Sequence, residues 1–226
     1  MNRGVATLLA IRQTGRMVRA AALAAALLVA APGWACSLMP GYRVLTALEL
    51  AERADTVVIA EVVGGATIGP DASDRLGVRP TLLLKGAELP STLAIRGYLE
   101  RPDMRATRSD PAALREPNPD ALMGGCTRYL FAKGMKLVLF FKRDGSELRF
   151  LDYPFARVSE DVRSDDARWV KAVRVYIDIA RLPKAARRTA LIARRDTLRA
   201  AKDADSQAIA TDIDRELFEE RGPLLD

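Results

Sequence analysis

The chain of 226 residues contains no histidine and only two cysteines, Cys36 and Cys126, which narrows its chemistry at once. Without imidazole there is neither a Ser-His or Cys-His dyad nor a histidine metal site. Catalysis would have to rest on carboxylates, lysines or hydroxyls. Asp203, Asp205, Asp212 and Asp214 have the density of a calcium loop, but the turn glycine and the closing glutamate are misplaced. They read instead as solvated helix caps and helix faces. Arg187-Arg188 and Arg194-Arg195 recur at helical spacing among acidic residues, which describes a solvated face rather than a basic stripe. Gly64-Gly65 and Gly124-Gly125 lack the lysine or helix start of a phosphate loop. These patterns assign no catalytic residue, no metal and no cofactor.

One distinctive chemistry remains, and it depends on where the chain is cut. Arg3, Arg12, Arg16 and Arg19 precede an apolar run from Ala20 to Ala31, and Gly33 and Ala35 are small residues at the −3 and −1 positions of a cleavage site. This is the build of a secretory signal over residues 1–35. The apolar run is about a dozen residues, against roughly twenty for a spanning helix. Cleavage between Ala35 and Cys36 would give Cys36 a free α-amine beside its own carbonyl. Such a pair of donors can chelate a zinc ion that keeps an open coordination position, with Ser37 projecting beside it. The α-amine titrates near pH ~8 in model peptides and is therefore partly neutral. Lipidation of Cys36 is the rival reading; it is disfavoured by Gly33, where a branched aliphatic residue is expected.

Export also sets the state of the thiols. In an oxidising compartment, secreted or periplasmic, two cysteines are expected to pair. A Cys36–Cys126 bridge would close a loop of about 90 residues, worth on the order of 4–5 kcal/mol in the chain-entropy view. The net charge of +6 falls to +2 once the four signal arginines are removed. Residues 36–162 balance exactly as many basic as acidic side chains, so no basic field argues for nucleic acid.

The elements that must position these groups are legible in part. Thr46 and Glu49 form a capping box for a helix ending near Arg53. Thr56–Val63 is β-branched and apolar, and it predicts a buried strand. Val78–Leu84 follows, with Pro80 implying an edge or a bulge. Thr92–Ile95 is shorter. Residues from Leu99 to Gly125 carry four prolines and no periodicity, which predicts a long surface loop. Order returns at Tyr129–Phe131 and Met135–Phe141, and Asp144-Gly145 signals a hairpin into Leu148–Leu151. Five short strands and one early helix predict a small OB-like β-barrel. Beyond residue 163 the period changes to 3.6. Asp165 or Asp166 would cap a helix through Trp169, Val173, Tyr176, Ile177 and Ala180. Two further helices are expected over about residues 185–201 and 206–220. The chain thus divides into a signal (1–35), a barrel domain (36–162) and a helical C-terminal region of about three helices (163–226).

Several phrases occur in a telling order: Cys36-Ser37, a helix, Ala54-Asp55-Thr56-Val57-Val58-Ile59-Ala60-Glu61-Val62, Leu84-Lys85-Gly86, Gly124-Gly125-Cys126 and Lys136-Leu137-Val138-Leu139-Phe140. Over about Cys36–Tyr153 this resembles the netrin-like module of the tissue inhibitors of metalloproteinases, especially their short bacterial relatives. The resemblance implies a five-stranded OB-type barrel and a mature chain that starts at cysteine. It also implies that the terminal cysteine chelates a target protease's zinc. Family members usually begin Cys-x-Cys, whereas Leu38 stands at the second position here. The expected function is an exported, non-catalytic protein-interaction module, joined to the membrane only through its signal or a lipid on Cys36. The alternatives are a zinc metalloprotease inhibitor acting through Cys36 and Ser37, and a carboxylate-dependent hydrolase or ligand-binding barrel.

Overall fold

Strand β1 (Thr56–Gly65) organises the molecule, because its side chains enter two different cores. Val57 and Ile59 join one apolar cluster, and Val58, Ala60 and Val62 join another. A strand apolar on both faces has to be covered on both. The computed structural model describes residues 38–69 and 72–223, and they belong to one compact unit, Leu38–Asp226.

β1 pairs antiparallel with β2 (Arg75–Lys85) on one side and with β6 (Lys136–Asp144) on the other. β3 (Leu93–Arg96) extends the sheet from β2. β7 (Glu147–Phe150) and β8 (Ser159–Asp161) both pair with β6, along its later and earlier residues respectively. β4 (Tyr98–Leu99) and β5 (Leu130–Phe131) form a separate parallel pair. Pro80 sits beside a register shift of the β1–β2 ladder, as its missing N–H demands. Gly145, at φ 59°, turns the β6–β7 hairpin.

The hydrogen-bonded path runs β3-β2-β1-β6-β7 and does not return to its start. The expected five-stranded OB-like barrel is thus not closed: among the described residues the main sheet is antiparallel and open. Its edge strands β3 and β7 span four residues each, and no ladder joins them. One face still gathers its own core, where Leu76, Val78, Ile95, Phe131, Leu137 and Phe141 meet. Gly97, at φ 144°, fits here because a Cβ would lie 2.5 Å from the Phe131 ring.

The other face is covered by helices. α1 (Ala47–Arg53) starts at the expected capping box, with the Glu49 N–H donating to Thr46 and the Thr46 N–H donating to the Glu49 carboxylate. α2 (Arg168–Ala180) buries Trp169, Val173, Tyr176 and Ile177. It begins at Ala167, and no side chain caps it. Asp165 instead meets Lys136 at 3.4 Å, and Asp166 accepts from the Ser164 hydroxyl. α3 (Lys184–Ala200) turns Leu191 and Leu198 inward, and α4 (Ala204–Phe218) turns in Ile209 and Ile213. All four helices contribute to the cluster that contains Val57, Ile59, Val138 and Phe140. The C-terminal helices therefore share a core with the sheet. None of the described helices is long and apolar enough to cross a membrane.

The long segment after β4 is not a loose surface loop. Asn118, Asp120, Ser109 and Arg128 are all buried. The Asn118 amide donates to the Thr107 carbonyl and Ser109 hydroxyl, and its backbone N–H donates to Glu160. Asp120 accepts from the Leu130 N–H at 3.0 Å. The Arg128 guanidinium binds Asp161 at 2.8 Å, donates to the carbonyls of Thr107, Leu130 and Ser159, and lies over the Phe131 ring. Buried backbone needs such partners where no ladder supplies them.

Candidate functional site

The residues singled out for zinc chelation and cleavage, Ala35, Cys36 and Ser37, lie outside the described residues. Cys126, their expected partner, is 2% exposed and is not a free thiol. It adopts φ 59°, a left-handed conformation uncommon outside glycine. Two hydrogen bonds bring the start of the described chain to it. The Tyr42 hydroxyl donates to the Pro154 carbonyl at 2.7 Å, and the Phe155 N–H donates to the Cys126 carbonyl at 2.7 Å. Burial pushes the Tyr42 hydroxyl up to about 12, and neighbouring Tyr153 adds to the effect.

Around this corner the surface is apolar. Met39, Leu122 and Met123 are 78%, 63% and 75% exposed. Leu122 also borders a cavity of about 520 Å³, walled by Val44, Leu45, Leu114, Phe155 and Trp169. Apolar cavities with a few convergent polar groups are where partners and ligands bind. Large exposed apolar side chains carry a similar meaning for a protein partner when they adjoin.

The polar rim of the cavity comes from α4 and the irregular segment. Arg115 reaches Asp212 at 2.5 Å and Glu216 at 3.9 Å, while the Tyr176 hydroxyl donates to Asp212 at 2.5 Å. Arg221 binds Glu49 at 2.8 Å and approaches Glu216 at 3.9 Å. Burial, reinforced by Asp212, drives the Tyr176 hydroxyl well above its ordinary value. Burial also raises the Glu216 carboxyl, with Arg221 and Arg115 only partly offsetting it. Asp212 is therefore buried rather than solvated. Both of its oxygens are engaged by Arg115 and Tyr176, which ties helix α4 to the irregular segment.

The other highlighted carboxylates do local work. Asp203 caps α4 by accepting the Ser206 N–H at 2.9 Å. Asp205 holds Arg168 and Lys171, both at 2.8 Å. Asp214 pairs with Arg195 and Arg199. Among the basic pairs, Arg187 binds the Ala180 and Leu182 carbonyls and Glu52. Arg188 donates to the Leu217 carbonyl and lies over Phe218. Arg195 takes Asp196 and Asp214, and Arg194 stays exposed. Among the described residues no group of three His, Cys, Asp or Glu side chains could hold a metal ion.

Sequence reasoning missed the side chains that matter most here. Arg115, Arg157 and Arg128 are single arginines in segments without periodicity, and nothing adjacent marks them. Arg157 is 4% exposed, its guanidinium lies 4.7 Å from the Trp169 ring, and it pairs with buried Glu160 at 3.7 Å. It also donates to the Glu116 carbonyl. No family model matches this sequence, and no curated protein or solved structure matches it either.

Proposed function

We propose that this chain is an exported, non-catalytic protein-interaction module of the netrin-like type, which meets its partner with the apolar edge beside Cys126. The exposure of Met39, Leu122 and Met123, with Leu122 bordering an apolar cavity, carries this reading. Burying three such side chains against a partner would contribute about 1.5–3 kcal/mol each. In this reading the open sheet is a partly closed OB-type barrel. The single core shared by β1, β2, β3, β5 and β6 supports it. Cys36 and Cys126 are paired in the exported protein. Support comes from a Cys126 that is not a free thiol in a chain with one other cysteine, and from the Tyr42 and Phe155 hydrogen bonds that draw residue 42 toward it.

A photoreactive residue at position 123, with a control at exposed position 194, tests the interaction in the native host. A discrete protein adduct at 123 and none at 194 is expected. No adduct at 123, or equal adducts at both positions, would refute the proposal.

The same observations favour one specific form of it. If the mature chain begins at Cys36, the bridge would present the terminal amine and carbonyl beside the apolar edge, as a zinc-chelating inhibitor of metalloproteases requires. Sequencing the mature N-terminus comes first; a start well upstream of Cys36, or a lipid on it, rules out chelation. Titration into a panel of zinc endopeptidases comes next. Inhibition that disappears when one alanine is added before Cys36 identifies the inhibitor, and no inhibition leaves the broader interaction module.

A further inference from the structure

A second cleft, of about 790 Å³, opens on the far side of the Arg157–Trp169 pair. It lies between residues 108–112, the start of β6, the end of β8 and the first turn of α2. Five basic side chains line it against three carboxylates. Four of the five are already committed: Arg108 to Asp161, Lys136 to Asp165, Arg157 to Glu160 and Arg168 to Asp205. Arg163 is exposed at the mouth.

Two features at its wall ask for an acceptor. The first is the N-terminus of α2, a helix of 13 residues with alanine at the cap position, no capping side chain and no acidic residue in its first turn. Its first N–H groups carry about half a positive charge, and no side chain of the helix itself caps them. The second is a pair of buried donors. Arg157 and Trp169 are 4% and 3% exposed, and both line the cleft. Neither the Arg157 Nε nor the Trp169 Nε1 has a hydrogen-bond partner. A buried donor left unpaired costs about 1–3 kcal/mol; Glu160 beside Arg157 has an unpaired oxygen of its own, so the Trp169 Nε1 and the uncapped helix are the donors that gain most by taking an oxyanion.

We infer that this cleft binds a phosphoryl group at the N-terminus of α2, with the Arg157–Trp169 pair as its wall and Arg163 at its mouth. The inference does not depend on the interaction edge beside Cys126. Helix N–H groups and guanidinium donors together match the several acceptor oxygens of a tetrahedral anion better than a single acceptor. The group can come as free phosphate or as a phosphate monoester on a small organic molecule, and the two are separable by experiment.

The chain has two tryptophans, Trp34 and Trp169; Trp34 lies in the expected signal, so Trp169 is the sole fluorophore of the mature protein. Its emission is followed in the mature chain while inorganic phosphate or glycerol 3-phosphate is added at matched ionic strength, with chloride as balance. A saturable change is expected with at least one of them. Tighter binding of the ester identifies a phosphorylated small molecule, and tighter binding of phosphate identifies the free ion. Ala167→Asp supplies the missing cap and places a carboxylate where the anion would sit. It should weaken binding at least about tenfold while leaving the melting temperature equal or higher. Arg163→Ala should weaken it less and leave the fold unchanged. Absence of a saturable response to both compounds, or a response that Ala167→Asp leaves intact, would overturn the inference.

Discussion

The two coverings of the sheet are made of different material. On one face α1 and α2 lay down Leu50, Ala51, Val170, Val173 and Ile177, all at most 1% exposed. Beside it, residues 100–128 run over β5, β8 and α4 as an irregular chain held by Asn118, Asp120 and Arg128. The first covering is stabilised by removing apolar area from water. The second is stabilised by leaving no buried polar group without a partner. The first gives way gradually as volume is lost, whereas the second fails when one hub is removed.

The sharpest way to break this contrast is Arg128→Ala. It would strip Asp161 of its buried partner and take a donor from the carbonyls of Thr107, Leu130 and Ser159, at a cost of about 3–5 kcal/mol. Denaturant unfolding gives the size. Hydrogen exchange should show residues 107–130 opening while α2 stays protected; uniform loss of protection would put both coverings in one cooperative unit. Acid should partly mimic the substitution. Burial alone would raise the Asp161 carboxyl, but Arg128 and the bonds from Ser109 hold it below the ordinary range. Its contribution is therefore complete above the unfolded-chain value of about 3.9 and is lost as the pH falls through the lowered folded value.

Ile177→Ala tests the apolar covering and should cost about 3 kcal/mol, with no selective opening of residues 107–130. Its effect should add to that of Arg128→Ala, since the two act in separate cores; marked coupling would join them.

The smallest effect is expected of Glu216→Gln. Burial raises the Glu216 carboxyl, so the folded state favours its protonated form. That stability is present below the unfolded-chain value and is lost as the pH rises through the folded one. The amide should flatten this slope and leave the variant no less stable than the parent near neutrality. A steeper slope would mean that Arg115 and Arg221 outweigh the desolvation.

This contrast also explains what could be seen in the sequence. The capping box at Thr46 and Glu49, the apolar strand from Thr56 and the α2 positions Trp169, Val173, Tyr176 and Ile177 are written as local patterns, and each appears where expected. Regular elements leave a period because their backbone bonds pair internally. The irregular segment leaves none: Asn118 meets Glu160, and Arg115 meets Asp212, 97 positions away. β8 was missed for the same reason, with Ser159 and Glu160 buried by partners rather than by polarity. The start of α2 was misplaced because Lys136 and Ser164 engage the carboxylates of Asp165 and Asp166.

Trp169 and Arg157 wall both the apolar cavity and the cleft at α2. A single indole therefore has two neighbours to answer to. An occupant of either space that moved this pair would change the room left in the other. Thermodynamic linkage makes such an influence equal in both directions.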